Sequence, residues 1–180
     1  MAPRCVVAGL VLLAASSCSF STVKGADYRA AAEKLITGTL AEQAGLGAVR
    51  PACEKPAGNN TGDTFECTAT TKKDEVVRFV ATITGLGKVD VESTNLITAA
   101  NLTQIEEVAV LALEKEVGHT LGVENFDCGD TYTVIDPDEQ VLLCALTDPK
   151  SGREFDAQVD LPDLTDIRSL TVTVAKKPRA

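Results

Sequence analysis

Four cysteines carry most of the chemical potential of this 180-residue chain: Cys53 with Cys67, and Cys128 with Cys144. Thiolates can hold zinc, exchange with other thiols or close disulfides. Zinc sites and redox sites both favour a Cys-x-x-Cys spacing, and zinc sites often recruit histidine. No such spacing occurs here, and no histidine accompanies either pair. Structural disulfides are therefore the expected use, although four cysteines allow three connectivities.

Other reactive groups offer less. The single histidine, His119, follows a helical stretch, where a cation suits the negative helix end. No Gly-x-Ser-x-Gly elbow exists to make it the base of a hydrolase. Asp127, Asp130, Asp136, Asp138 and Glu139 crowd the second cysteine turn, and Asp160, Asp163 and Asp166 crowd a later one. Calcium favours such oxygen-rich loops, but the spacing is not that of an EF-hand. Turns also use Asp to bond their own backbone. Gly85-Leu86-Gly87 reads as a strand turn, and no phosphate-binding glycine pattern occurs. No catalytic residue, metal or cofactor is expected, and the chain is not read as an enzyme.

The N-terminus is a targeting signal. Met1 to Arg4 is positive, Cys5 to Ala15 is apolar and too short to span a bilayer, and small residues follow. Residues 1–17 are read as a signal peptide. Ala15-Ser16-Ser17-Cys18 resembles a bacterial lipobox, with Ala15 where Leu is usual. Cys18 is then the lipidation site, carrying palmitate, and residues 18–26 form a short tether. The expected location is the outer face of the cell membrane, as a lipoprotein. Plain secretion, with cleavage near Ser17 or Ala26, is the alternative. Asn59-Asn60-Thr61 matches a glycosylation sequon, which a bacterial leader makes irrelevant. Export also suits paired cysteines, because disulfides persist in oxidising compartments.

Composition narrows the partners. A net charge of −9 repels phosphate backbones and anionic lipid surfaces, so no nucleic acid is expected. Aromatic residues make up only 4%, with no Trp, which argues against platforms that stack sugars or bases. Hydrophobic content of 44% suits a folded globular chain.

The elements that position the cysteines follow from periodicity. Asp27 caps a helix whose apolar face is Tyr28, Ala32, Leu35, Ile36 and Leu40, ended by Gly45 and Gly47. A short strand reaches Cys53. Phe65, Cys67 and Ala69 then alternate with polar residues, as do Val77, Phe79, Ala81 and Ile83, and then Val89 and Val91. A packed join, Ser93 to Asn101, contains Leu96 and Ile97. Thr103 and Glu106 match a capping box that starts a second helix. Its apolar surface, Ile105 to Val117, has the breadth to touch both its own sheet and the first unit. Phe126 and Cys128 follow. Leu142, Cys144 and Leu146 form a strand face, as do Phe155, Ala157, Val159 and Leu161, and then Leu170, Val172 and Val174. Lys176 to Arg179 reads as a frayed basic tail.

The order of elements is the same twice. Cys53 and Cys128 are 75 positions apart, and Cys67 and Cys144 are 77 apart. The expected fold class is α+β: two tandem α-β-β-β-β units, each one helix packed on a four-stranded antiparallel sheet with one disulfide. The first unit spans 27–95, the second 96–176, and 177–180 is the tail. Equivalent positions should do equivalent work, so the duplication selects Cys53–Cys67 and Cys128–Cys144 as the pairs.

A lipobox-like leader, a helix, two cysteines 14 to 16 apart and threonine-rich alternating strands resemble a small domain-of-unknown-function family. That family is found in secreted proteins and lipoproteins of actinobacteria, and the likeness covers Asp27 to Val174 as two copies. It has no established catalytic residue to carry over. In architecture alone the chain also resembles the secreted β-lactamase inhibitor protein, two tandem helix-plus-four-strand units each with a disulfide. The expected role is a membrane-anchored module at the cell envelope that binds another exported or envelope protein. The alternatives are a proteinaceous inhibitor of a secreted enzyme and a carrier of an apolar ligand.

Overall fold

The computed structural model describes residues 27–117, 120–129, 131–136, 138–162, 164 and 166–179. The expected signal peptide, Cys18, the tether, His119, Asp130 and Asp163 lie outside these residues.

The Asp27 carboxylate accepts the Ala30 backbone N–H at 3.1 Å and starts α1, Tyr28–Leu35. The helix continues through a π-helical turn, Ile36–Leu40, into a short α2, Ala41–Gln43. Its buried face is Tyr28, Ala31, Ala32, Leu35, Ile36 and Ala41. The π turn takes up more residues than an α turn, so the face advances and Leu40 is only half-buried. Gly45 ends the helix at φ +68°, and Leu46 folds back into the core.

A four-stranded antiparallel sheet follows, β1 (Arg50–Cys53), β2 (Thr64–Thr70), β3 (Val76–Gly85) and β4 (Lys88–Ser93), in that spatial order. Period-2 alternation sends Phe65, Cys67, Ala69, Val77, Phe79, Ala81, Ile83, Val89 and Val91 inward, where they share one core with α1.

The chain then forms β5 (Leu96–Ile97), α3 (Ala99–Val117), β6 (Phe126–Asp127), β7 (Thr133–Val134), β8 (Val141–Thr147), β9 (Glu154–Asp160) and β10 (Thr171–Pro178). β6, β8, β9 and β10 make a second antiparallel sheet, in that order. A second core joins α3 to its inner face through Leu102, Ile105, Ala109, Leu113, Leu142, Cys144, Ala157 and Val159. The architecture is therefore α+β, helices packed on antiparallel sheets with two disulfides.

Three expectations need correction. The second helix begins one turn before Thr103, because Thr98 and Asn101 cap it. The Asn101 N–H donates to Thr98 Oγ1 at 3.4 Å, and the Thr98 hydroxyl meets Asn101 Oδ1 at 2.6 Å. This reciprocal pair replaces the Thr103–Glu106 box and draws Leu102 into the buried face. The buried residues of α3 belong only to the second core, and Leu111 is 58% exposed. The first core receives Leu96, Tyr132 and Val134 instead, from the β5–β7 ribbon. Finally, the basic C-terminus is not frayed. It extends β10, and the Arg179 N–H donates to the Glu154 carbonyl at 2.8 Å. Glu154 and Asp156 lie beside its guanidinium and supply the opposite charge.

Candidate functional site

Cys53 and Cys67 are direct partners across β1 and β2, and their disulfide spans a Cα separation of 4.0 Å. Cys128, just past β6, is joined to Cys144 on β8 at 4.2 Å. Cys67 and Cys144 are almost wholly buried. These sulfurs act as staples between the first two strands of each sheet. Two disulfides also indicate an oxidising, extracytoplasmic compartment.

Each staple has a partner that the periodicity did not reveal. Glu33 Oε1 accepts the Cys53 N–H at 3.3 Å, and Glu106 Oε1 accepts the Cys128 N–H at 2.8 Å. Both are helix carboxylates, half-buried, reaching down to the backbone of the first cysteine of each pair. A glutamate 20 or 22 positions ahead of that cysteine was the available signal. Without a distance constraint, Glu33 reads as part of a polar face and Glu106 as a cap. Charge-assisted bonds of this kind contribute about 1.5–3 kcal/mol. Glu106→Ala is expected to lower stability by about 2 kcal/mol in urea unfolding, since it leaves a part-buried N–H unpaired. Glu33→Ala should cost less, because its bond is longer, and the exposed Arg29 pair lost with it at 3.7 Å adds only a few tenths of a kcal/mol. Equal losses at the two positions would contradict this ranking.

The acidic loops serve their own backbone. Asp127 Oδ1 accepts from Gly129 N at 2.8 Å, Asp136 Oδ1 from Asp138 N at 2.9 Å, and Asp166 Oδ1 from Arg168 N at 3.1 Å. Among the described residues no group of three or more His, Cys, Asp or Glu side chains could hold a metal ion.

The two halves meet at a polar centre that the sequence reading missed. Asn95 is 3% exposed. Its Oδ1 accepts the Arg78 N–H at 2.7 Å, and its Nδ2 donates to the carbonyls of Val76 (3.0 Å) and Ile135 (3.3 Å). The Ile135 N–H returns a bond to the Asn95 carbonyl at 2.9 Å. β5 and β7 pair beside it, Leu96 with Val134 and Ile97 with Thr133. The Tyr132 hydroxyl donates to Glu75 at 3.0 Å, and the Lys73 ammonium lies 5.4 Å from the Tyr132 ring centre. A wide-mouthed cleft of about 300 Å³ opens here, lined by Glu75, Val76, Arg78, Val134 and Asp136 together with Asn95 and Ile135 themselves. Its shallow, mixed lining suits contact with a protein surface better than enclosure of a small molecule.

The outer sides of the two sheets face solvent. The first is mixed, with Thr64, Glu66, Thr68 and Arg78 pointing outward beside Val76 and the half-buried Val80. The second carries Glu154, Asp156 and Gln158 beside Leu143. Comparison with family models, with curated proteins and with solved structures finds no match to the chain. Among the described residues no helix is long and apolar enough to cross a membrane.

Proposed function

We propose that the chain is an exported, membrane-anchored lipoprotein that acts as a non-enzymatic protein-interaction module at the cell envelope. The observation that carries this reading is the pair of antiparallel sheets, each with one face on a core and one face open to solvent, joined through Asn95 and β5–β7. A rigid, two-faced body on a short tether from Cys18 presents its surface close to the membrane.

The reading includes a duplication, with a first unit at 27–95 and a second that begins at 96 and keeps the C-terminal residues through 179 with its last strand. Equivalent turns support it. The Thr71 N–H donates to the Glu75 carbonyl after β2, and the Asp148 N–H donates to the Arg153 carbonyl after β8. Asp74 and Gly152 take φ of 62° and 66° in those two turns. The Ile83 N–H bonds the Asp63 carbonyl, and the Leu161 N–H bonds the Gln140 carbonyl. Membership of the small actinobacterial family that the cysteine spacing resembles belongs to the same proposal.

Cys18→Ala is expected to release the protein from membranes into the medium, read by fractionation and immunoblotting. Unchanged membrane retention would remove the anchor from this reading. In-cell crosslinking tests the module, with an exported or envelope protein as the expected partner. A second reading, inhibition of a secreted enzyme, is favoured by Leu86. This side chain is 87% exposed at the tip of the β3–β4 hairpin and could fill an apolar pocket. Tight 1:1 inhibition of a secreted hydrolase, lost in Leu86→Ser, would favour it.

A further inference from the structure

The two sheets match on their inner sides and differ on their outer sides. One position before the second cysteine, the first sheet shows the row Glu66, Val80, Glu92, and the second sheet shows Leu143, Gln158, Thr173. One position after it, the rows are Ala52, Thr68, Arg78 and Asp127, Ala145, Asp156. Leu143 is 74% exposed where its counterpart is a glutamate. Its diagonal neighbours on the flanking strands are Asp127, Asp156 and Asp160, within reach of any side chain that covers it. Leu143 stands open to solvent opposite Gln158 with these carboxylates at its diagonals, whereas Val80 of the first sheet, between Glu66 and Glu92, is half-buried. A cation from the chain itself already binds carboxylates of this face. Arg179 Nε lies 2.6 Å from Asp156 Oδ1, and its Nη1 lies 3.9 Å from Glu154.

We propose that this outer face, centred on Leu143, is the docking surface, and that its occupant is an extended cationic segment of an exported partner protein. The inference rests on the interaction-module reading above. An aliphatic side chain of the partner covers Leu143, and lysines or arginines on either side meet Asp127 and Asp160 through the lone pairs left by their bonds to Gly129, Gln158 and Thr171. Charge complementarity selects this occupant, since the same carboxylates repel anionic lipid and nucleic acid.

The test uses the full exported chain and two synthetic peptides, acetyl-Lys-Leu-Lys-Val-Arg-amide and acetyl-Glu-Leu-Glu-Val-Glu-amide. In an NMR titration the cationic peptide should shift the Leu143 methyls and the Gln158 side-chain amide. Raising salt from about 50 to about 500 mM should weaken that binding several-fold. Leu143→Lys should weaken it at least tenfold without moving the unfolding midpoint, because the side chain is exposed. Equal binding of the acidic peptide, or no effect of Leu143→Lys, overturns the proposal. In cells, a photoreactive residue at position 143 should crosslink a partner through a basic segment, and one at position 66 should not. Crosslinking from position 66 alone overturns this surface and leaves the module standing. No crosslink from any outer-face position overturns both.

Discussion

Asn95→Ala is expected to cost about 2–4 kcal/mol of stability, the range that follows when buried backbone groups lose their partner. Alanine removes the acceptor for the Arg78 N–H and the donor to the Val76 and Ile135 carbonyls in one step. Each buried polar group left unpaired costs about 1–3 kcal/mol, and the losses are not additive. Asn95 also lines the open cleft, so water entering the vacated site offsets part of this loss. Asn95→Asp keeps the Arg78 bond but turns a carboxylate oxygen toward two carbonyls, so it should be no better tolerated. The effect reaches beyond one residue. β5–β7 pairing and the Tyr132–Glu75 bond depend on the same placement of the two halves. Urea unfolding followed by circular dichroism measures the loss. Amide exchange should show Ile97, Thr133 and Val134 losing protection first. A loss under about 0.5 kcal/mol, the scale of ordinary surface changes, would show that Asn95 is not the pin between the halves.

Replacing Cys128 and Cys144 together by alanine is expected to cost about 3 kcal/mol, as loop-closure entropy gives for a disulfide spanning some fifteen residues. The separation here is 16, and the loop includes β7, which must be delivered to β5. The double change avoids leaving one thiol to mispair. Alanine also vacates volume beside Leu142 and Ala157 in the second core, so packing loss adds to the entropic cost. The Glu106 carboxylate still accepts the backbone N–H of residue 128, and β6 still pairs with β8, so the segment stays tied to its sheet. The measurement is the urea midpoint and slope of the double variant against the oxidised parent. An unchanged midpoint would mean that helix, sheet and ribbon already fix the loop without the covalent link. Cys53→Ala with Cys67→Ala should give a similar loss, since the separation of 14 is nearly the same.

Much of the framework was legible because one-dimensional patterns report it. Alternation assigned the inner faces of β2, β3, β4, β8 and β9, since strand side chains change face at every residue. Asp27 read correctly as a cap because its bond is local. The start of α3 was misread because two capping patterns lie one turn apart. Only the geometry of Thr98 and Asn101 selects between them. The breadth of the α3 apolar surface suggested a second contact, yet breadth cannot say what lies opposite. Leu111 lies open to solvent, and the contact passes through β5 and β7, strands of two residues each. Such short strands have no period to detect.

The sequence by itself determined the alternating strand faces, the cysteine spacing and the acidity, because each is set by residues near one another in the chain or by composition. Tertiary structure alone decided the groups that act over long separations. These are the Glu33 and Glu106 carboxylates on the cysteine amides, Asn95 between Arg78 and Ile135, Arg179 on Asp156, and Leu143 among carboxylates from neighbouring strands. A hydrogen bond has a range of about 3 Å, and its partner can come from anywhere in the sequence. Only folding brings residue 95 to residue 135, so only the folded chain distinguishes a structural pin from one more polar residue in a loop.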